Sequence, residues 1–466
     1  MIVSTNFGTI SICSFLKLLP AVLFSGVIAN VNLAQITPAE EPTQLARLSV
    51  TMSPWSDDEA SVEPTALLNT PTLPPGRSLA ESLANLPGVE FTRQSANTVE
   101  PTIRGFSFDR ISTLFNGLPL LNATPSRTQA PVNFFQSGMI GNVEVQRSLP
   151  SVTSGPLTTG GQIQINSQPA AGPANRPGVV LRARTFGNQQ GFAGGGSIAG
   201  ATDRVRYRIS GQYVNLNDYE AGDGTPVDAD HEGWGESDAI QADLSDNLTV
   251  DLALHHYHQD LDRNISLPFD TVDTDFYATA LNATWQLDQG GLRLRSGHST
   301  TQPYLTSAAR PDTTAPGTPA SLPPVTQFTG DAVVSALGLA WEHRWSATFS
   351  TEFGVDGTWQ ERDVGRDRIQ PDGSVLVDRL WPDVHIRDTG VFGEVHWSTG
   401  ETRARLGARL DQVKREARAA DSLIVAIPGA RGPTIRQNYV AFNGPAAGET
   451  TREHTTGAVN FTLERD

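Results

Sequence analysis

The feature that most constrains this chain is a period-two alternation of apolar and polar residues, repeated in segment after segment from about residue 178 onward. Successive side chains of a β-strand point to opposite faces, so each such segment has one apolar and one polar side. In 204–213, Val205, Tyr207, Ile209 and Tyr213 share one face, and Arg204, Arg206, Arg208 and Gln212 the other. In 347–360, Phe349, Phe353, Val355 and Trp359 oppose Ser350, Glu352, Asp356, Thr358 and Gln360. In 402–411, Ala404, Leu406, Ala408 and Leu410 oppose Arg403, Arg405 and Arg409; in 455–464, Val459, Phe461 and Leu463 oppose Thr456, Asn460 and Glu464. Comparable runs lie near 179–187, 236–244, 248–258, 276–288, 292–301, 332–343 and 389–398. This reads as about twelve strands of roughly 10 residues, the length a tilted strand needs to cross a bilayer.

A soluble β-sandwich also alternates. Three features favour a transmembrane barrel. The polar faces carry Arg, Glu and Asp at successive positions, as a wet lumen requires. Short links near 201–203, 245–247, 288–291, 344–347 and 398–401 alternate with long ones near 217–235, 259–275, 302–331, 361–387 and 412–453, the rhythm of periplasmic turns and outer loops. Trp285, Trp341 and Trp397 each lie a few residues from a short link, where an interfacial girdle would place them.

Composition narrows the function. The chain has 466 residues, a net charge of −16 and a mean hydropathy of −0.27. Such acidity disfavours nucleic acid, whose phosphates need Lys and Arg. Lysine occurs only at Lys17 and Lys414. The one cysteine, Cys13, falls in an N-terminal segment where Lys17 precedes the apolar run 18–29. That run is too short to span a bilayer and reads as part of a signal peptide (1–34) cleaved after Ala29 or Ala34. The mature chain is then free of cysteine, so disulfides, thiol catalysis and zinc–thiolate sites drop out together.

Residues 35–60 form a Pro-, Thr- and Glu-rich linker, residues 61–170 a compact mixed region, and residues 171–466 the N-terminal part of the barrel. The mixed region holds one helix candidate, 78–86, with Ser78 able to cap it and Pro87-Gly88 to end it. Three motif groups follow. Leu86-Pro87-Gly88-Val89 is the first. Pro101-Thr102-Ile103-Arg104-Gly105, Asp109-Arg110 and Phe115-Asn116-Gly117-Leu118-Pro119 form the second. Val143-Glu144-Val145, Arg147, Gly155 and Gly160-Gly161 leading into Gln162–Asn166 form the third. Order and spacing resemble the plug domain of TonB-dependent outer-membrane receptors. One departure is that Arg147 is followed by Ser148-Leu149-Pro150, with Gly155-Pro156 only later, where the family usually has Gly-Pro at once. Independently of the resemblance, Asn116-Gly117 between apolar runs signals a hairpin. Arg104 is expected to form a salt bridge to the barrel wall, and Gly160-Gly161 to permit close packing where the chain leaves the plug.

The resemblance implies an α+β plug inside a mainly antiparallel transmembrane β-barrel in the cell outer membrane. A barrel wide enough for a plug needs about 22 strands, so twelve make it partial, and the sequence reads as C-terminally truncated. It also implies a TonB box before the plug. Arg47 with Leu48, Ser49, Val50, Thr51 and Met52 is a short β-prone run that could add as a strand to a partner sheet. The expected partners are TonB with its inner-membrane motor proteins, outer-membrane lipid and a scarce ligand, foremost a ferric siderophore. Cobalamin, haem, copper complexes and glycans stay open. A passive or adhesive barrel and a non-functional truncated receptor are the alternatives.

No nucleotide loop, G-x-S-x-G elbow or other catalytic constellation occurs, so no enzyme activity and no cofactor are expected. No metal site is expected either. His255, His256 and His258 lie on one strand, but alternation puts only His256 and His258 on one side, and two imidazoles are not a site. The acidic loop with Asp218, Glu220, Asp223, Asp228, Asp230 and Glu232 fits no calcium spacing and reads as a solvated loop.

An open twelve-strand sheet in lipid would leave unpaired edges costing several kcal/mol per backbone group. The 466-residue chain alone is therefore expected not to insert stably. Its recovery as a heat-modifiable, protease-resistant membrane barrel would overturn that expectation.

Overall fold

The structure, a computed structural model, describes residues 66–465 apart from 70–74, 77, 85, 87, 96, 125–129, 148–149, 156–157, 168–176, 265–268, 309–324, 371–372 and 425–431. The expected signal peptide, the linker 35–60, the TonB-box residues Leu48, Ser49, Val50, Thr51 and Met52, and Pro87 lie outside the described residues.

The first part is built from short elements. They are β1 (Ala66–Asn69), α1 (Leu79–Leu83), β2 (Val89–Arg93), β3 (Val99–Ile103), β4 (Phe106–Ser107), β5 (Ser112–Phe115), β6 (Leu118–Pro119), β7 (Asn142–Gln146) and β8 (Gln162–Asn166). A five-stranded sheet has the order β1-β7-β8-β5-β6, with β5 and β8 parallel, and a second sheet has the order β2-β3-β4. Helix α1 is shorter than the expected 78–86, yet Ser78 caps it as expected, its Oγ accepting from the Glu81 amide at 3.3 Å. The turn at Leu86, whose amide reaches the Leu83 carbonyl at 2.9 Å, stops the helix ahead of Pro87.

The hairpin turns obey their sequences. Asn116 and Gly117 join β5 to β6 with φ of 47° and 86°, and Arg104 and Gly105 join β3 to β4 with φ of 50° and 79°. Gly160 and Gly161 act differently from the expectation. They precede β8 and so work within the plug, not at its exit. A Cβ on Gly160 would lie 2.7 Å from the Arg110 carbonyl oxygen, and one on Gly161 2.4 Å from that of Gln146. The Gly160 amide donates to the Arg110 carbonyl at 2.8 Å and the Ser112 amide to Gly161 at 3.2 Å. Bare backbone is thus what lets β8 slide between β5 and β7.

The remaining strands form one antiparallel sheet. In chain order they are β9 (Gly178–Phe186), β10 (Gly191–Ala201), β11 (Val205–Leu216), the small hairpin β12 (Tyr219–Glu220) and β13 (Pro226–Val227), β14 (His231–Ser245), β15 (Leu248–Asp262), β16 (Asp270–Leu287), β17 (Gly290–Thr306), β18 (Val325–Ser346), β19 (Phe349–Ile369), β20 (Val375–Thr399), β21 (Thr402–Ala417) and β22 (Thr451–Arg465). Twelve of them pair in sequence order from β9 to β22, and β9 does not pair with β22, so the sheet is open among the described residues. One strand went unseen in the alternation: β10 carries Gly191, Gly194, Gly195, Gly196 and Gly200, which have no side chains to alternate.

The expected long link 361–387 is a correction. β19 and β20 run through most of it as a ribbon and turn only at 370–374. Arg366 pairs with Asp378 at 2.5 Å, Arg368 with Asp378 at 3.0 Å, and Arg379 with Asp363. Charged residues on both faces of a water-exposed ribbon erase the apolar alternation that marks the membrane-level strands. In the link after β21, helix α2 (Ile435–Asn443) carries a Thr434/Gln437 capping box that was present in the sequence but unread.

The outward face is apolar where lipid would meet it: Ile209, Ile240, Leu254, Leu281, Leu339, Val355, Val391 and Leu406 are all exposed. Trp285, Trp341 and Trp397 stand at its short-turn end, 48%, 42% and 41% exposed, as expected of a girdle. No helix among the described residues is long and apolar enough to cross a membrane.

Gly161→Ala forces a side chain into a carbonyl at φ 108°, whereas Gly105→Ala meets nothing within 4 Å and costs only the left-handed backbone penalty, about 1 kcal/mol. Hydrogen exchange of the β7 and β8 amides should therefore rise strongly in Gly161→Ala and little in Gly105→Ala. Equal effects would refute this reading of the glycine pair.

Candidate functional site

The candidate site is the contact between the small domain and the concave face of the large sheet. The core of the small domain (Leu79, Leu83, Ile103, Phe115, Phe135, Ile140, Val143, Ile163 and Ile165, all fully buried) is continuous with wall residues Ala253, Tyr257, Phe276, Ala278, Ala280 and Val334. The wall is therefore not uniformly wet, as the expected lumen was. Where it meets the plug on β15 and β16 it is aromatic. Phe134 stacks on Phe276 with centroids 4.6 Å apart, and Phe135 on His255 at 4.3 Å. His255 also meets the Phe134 carbonyl through Nε2 at 3.0 Å.

A buried polar latch lies near the loop end. Asp262, at the end of β15, is fully buried. Its carboxylate accepts from the Ser95 hydroxyl, from Thr98 Oγ1 at 2.5 Å and from the Asn97 amide at 3.4 Å. His231 Nδ1 stands 3.3 Å away, and the Tyr257 hydroxyl links to His231 Nε2 at 3.3 Å. Ser95 and Asn264 face each other in an isolated antiparallel bridge. A buried carboxylate is tolerated only when it is paired and hydrogen-bonded, and here its partners come from both the plug and the wall.

A second anchor lies on the far strands. Asn460 Nδ2 donates to the Pro150 carbonyl at 3.1 Å, Ser151 Oγ to Glu394 Oε2 at 2.8 Å, and Arg409 Nη1 to the Val152 carbonyl at 3.3 Å. Arg409 is itself held by Asp356 (2.8 Å) and Asp411 (2.7 Å). The residues that follow Arg147, where the chain departs from the usual family spelling, are thus the ones that grip β20 to β22.

Between these anchors a cavity of about 290 Å³ separates the β5–β6 hairpin from the wall. Asn116, Gly117, Asp109 and Thr153 line one side, and Arg293, Arg295, Glu352 and Arg362 the other. Arg293 pairs with Glu352 at 2.6 Å. Asn282 donates to the Asn116 carbonyl at 3.3 Å, joining hairpin tip to wall.

The residues singled out from sequence are partly brought together. Gly88, Arg104 and Arg147 meet: the Arg104 amide donates to the Gly88 carbonyl at 3.0 Å, and Arg104 Nη1 to the Arg147 carbonyl at 2.9 Å. Arg104 is exposed and braces the plug internally, which corrects the expected salt bridge to the wall; its left-handed turn directs it back along the plug surface. Asp109 and Arg110 lie in an exposed 3₁₀ turn. Glu144 accepts from Asn166 at 3.3 Å on the face of β7. Asn116 fastens the end of β8, its side chain bonding Ser167 at 2.6 and 3.0 Å. Sequence reading missed Asp262, His231, Tyr257, the 95–98 loop and Arg409, because each acts through a partner more than a hundred residues away or across strands.

The acidic loop is met by one arginine from the link after β15. Asp218, Asp228 and Asp230 converge, and Arg263 lies 3.0 Å from Asp228 and 3.7 Å from Asp230. Burial, with Asp218 beside it, raises the Asp230 carboxyl above its ordinary range.

Asp262→Ala would strand Ser95, Thr98 and His231 without their acceptor, a loss on the order of 3 kcal/mol. Amide exchange in 94–98 should then quicken about 100-fold. Unchanged protection would show that the latch does not hold the plug.

Comparison with known proteins agrees with this architecture. Residues 72–162 match the TonB-dependent Receptor Plug Domain family. No curated protein matches the chain by sequence. Among solved structures it is similar to the copper transporter OprC (TM-score 0.70, 19% identity, covering 86% of this chain and 61% of that one). It also resembles the unliganded ferric citrate transporter FecA (0.59, 11%, 86% and 59%) and the ferric yersiniabactin uptake receptor FyuA from Yersinia pestis (0.55, 11%, 86% and 60%). The chain thus spans about three fifths of the length of these proteins. Residues 72–162 thus form a TonB-dependent receptor plug domain, seated against an antiparallel sheet that shares the fold of these solved transporters.

Proposed function

We propose that the chain serves energy-coupled uptake of a scarce ligand across the outer membrane, foremost a ferric siderophore. The observation that carries this reading is the plug itself, locked into the wall at two separated anchors. A passive pore has no use for a plug held by a buried carboxylate latch and an arginine network. Such a plug closes the lumen at rest and must be loosened by work done from below. The segment Leu48, Ser49, Val50, Thr51 and Met52 is the proposed handle, gripped by TonB through strand addition.

The choice of cargo rests on two supports. Solved relatives named as ferric citrate and ferric yersiniabactin receptors share the fold. The cavity wall also presents Arg293, Arg295 and Arg362, donors suited to the carboxylate or catecholate oxygens of an anionic chelate. A copper complex is the second reading, favoured by the 0.70 TM-score to the copper transporter. Plug residues Arg104, Arg110, Glu144 and Arg147 are proposed to maintain the plug and not to touch cargo, whereas Asp109 lines the cavity with the three arginines.

The test is uptake by iron-starved cells of ⁵⁵Fe-loaded catecholate, hydroxamate and carboxylate siderophores. Deleting 48–52 should abolish accumulation of the transported chelate while surface binding persists. Accumulation that survives the deletion would show a passive barrel.

A further inference from the structure

We propose that the outward face of β14, β15 and β16, just above the apolar band, is a binding site for one divalent first-row transition-metal ion. The site lies on the opposite side of the sheet from the plug. On β15, Ala253, His255, Tyr257 and Gln259 are buried toward the plug, so Leu254, His256, His258 and Asp260 face outward. His256 stands two residues above Leu254, about 7 Å along the strand.

Register brings the ligands together from β15 and β16, with β14 supplying the flanking groups. His258 pairs with Trp234 of β14 and Asp275 of β16, and His256 with Glu236 and Tyr277. Asp275 Oδ1 lies 2.9 Å from His258 Nδ1 and 3.4 Å from His256 Nε2. Asp273 adds a second carboxylate, its oxygen within 4.8 Å of the His258 and Asp275 donor atoms. Ligand atoms bound tetrahedrally at about 2.0–2.2 Å stand about 3.3–3.6 Å apart. The His258 and His256 contacts to Asp275 Oδ1 are hydrogen bonds at or just below that spacing, so an ion would replace the shared protons and part these donors slightly.

The outer ring nitrogens complete the pattern. His258 Nε2 meets Asp260 Oδ1 at 3.1 Å, and His256 Nδ1 lies 3.8 Å from Glu236 Oε1. Each imidazole thus turns one nitrogen toward Asp275 and the other toward a further carboxylate. Metal-bound histidines are oriented in this carboxylate–histidine manner. The rings are also fixed by packing. Tyr277 stacks on His256 with centroids 4.1 Å apart and planes 4° apart, and Trp234 meets His256 edge-on at 4.8 Å and lies 5.8 Å from His258.

The donors that converge are one imidazole and two carboxylates, His258, Asp273 and Asp275, with His256 beside them through Asp275 Oδ1. Imidazole nitrogen selects zinc, copper, nickel or cobalt over calcium and magnesium, which require shells of oxygen. An ion here would staple β15 to β16 on the outside of the wall, independent of any cargo inside it.

The test uses the full chain in detergent micelles, with circular dichroism showing intact sheet in every variant, titrated with Zn²⁺ or Co²⁺ alone. The expected result is one ion per chain. Cu²⁺ loaded in its place should show nitrogen ligation by electron paramagnetic resonance, and His258→Gln should remove or alter it. His258→Gln and Asp275→Asn should each weaken Zn²⁺ binding by at least about 100-fold, and Asp260→Asn about tenfold. His298→Gln, on the outward face of β17, should leave it unchanged. The proposal is overturned if folded chain binds no stoichiometric ion, or if the His258→Gln/Asp275→Asn double variant binds Zn²⁺ as tightly as the parent.

Discussion

The constraint on which the rest of this structure depends is the seating of the plug against the wall. A sheet facing lipid on one side must satisfy every backbone group by strand pairing, and it must find partners for whatever its other side presents. Here that other side is not left to water. Tyr257, Phe276 and Val334 enter the plug's own core, and Asp262, which meets His231 on the wall, takes its hydrogen bonds from Ser95, Asn97 and Thr98 of the plug. Neither surface is complete without the other. Plug and wall accordingly pack as parts of one unit.

This shared surface is chemically uneven, which matters for function. Against β15 and β16 it is apolar and aromatic, with the buried Asp262 latch at its loop end. Against β20 to β22 it consists of single hydrogen bonds, from Asn460 and Arg409 to the carbonyls of Pro150 and Val152 and from the Ser151 hydroxyl to Glu394. A force applied from the N-terminal side would meet different resistance at the two anchors. The polar one breaks in discrete steps, and water can replace each lost bond. The aromatic one resists in proportion to the area exposed.

Much of the fold was legible because the membrane imposes a simple rule on one face of each strand. Eleven strands announced themselves through residues such as Ile209, Val355 and Leu406, and the three girdle tryptophans lie where their distance from the short turns put them. β10 escaped because its glycines carry no side chains. The upper ribbon of β19 and β20 escaped because water on both faces removes the pattern. In the plug, Asn116-Gly117 could be read locally, since a positive φ leaves a mark in one or two residues; Gly160-Gly161 marked a close approach, but its place inside the plug ahead of β8 was not legible. Arg104 misled, because its bond to the Arg147 carbonyl depends on how two hairpins stack. Asp262 and its partners from 95–98 were illegible for the same reason: nothing in either segment names the other. His256 and His258 were correctly placed on one side of β15, but the aspartates that face them come from β16, and only register reveals that.

The most direct test of the account is to lock the plug to the wall. Ser95 and Asn264 face each other in an antiparallel bridge, within the reach of a disulfide, and Cys13 is the sole cysteine of the sequence. In a Ser95→Cys/Asn264→Cys variant, uptake of the transported ⁵⁵Fe chelate is measured before and after reduction. The account predicts that the oxidised form binds the chelate at the surface without importing it, and that reduction restores import. Import by the cross-linked form at the rate of the reduced form would contradict the claim that the latched plug must let go.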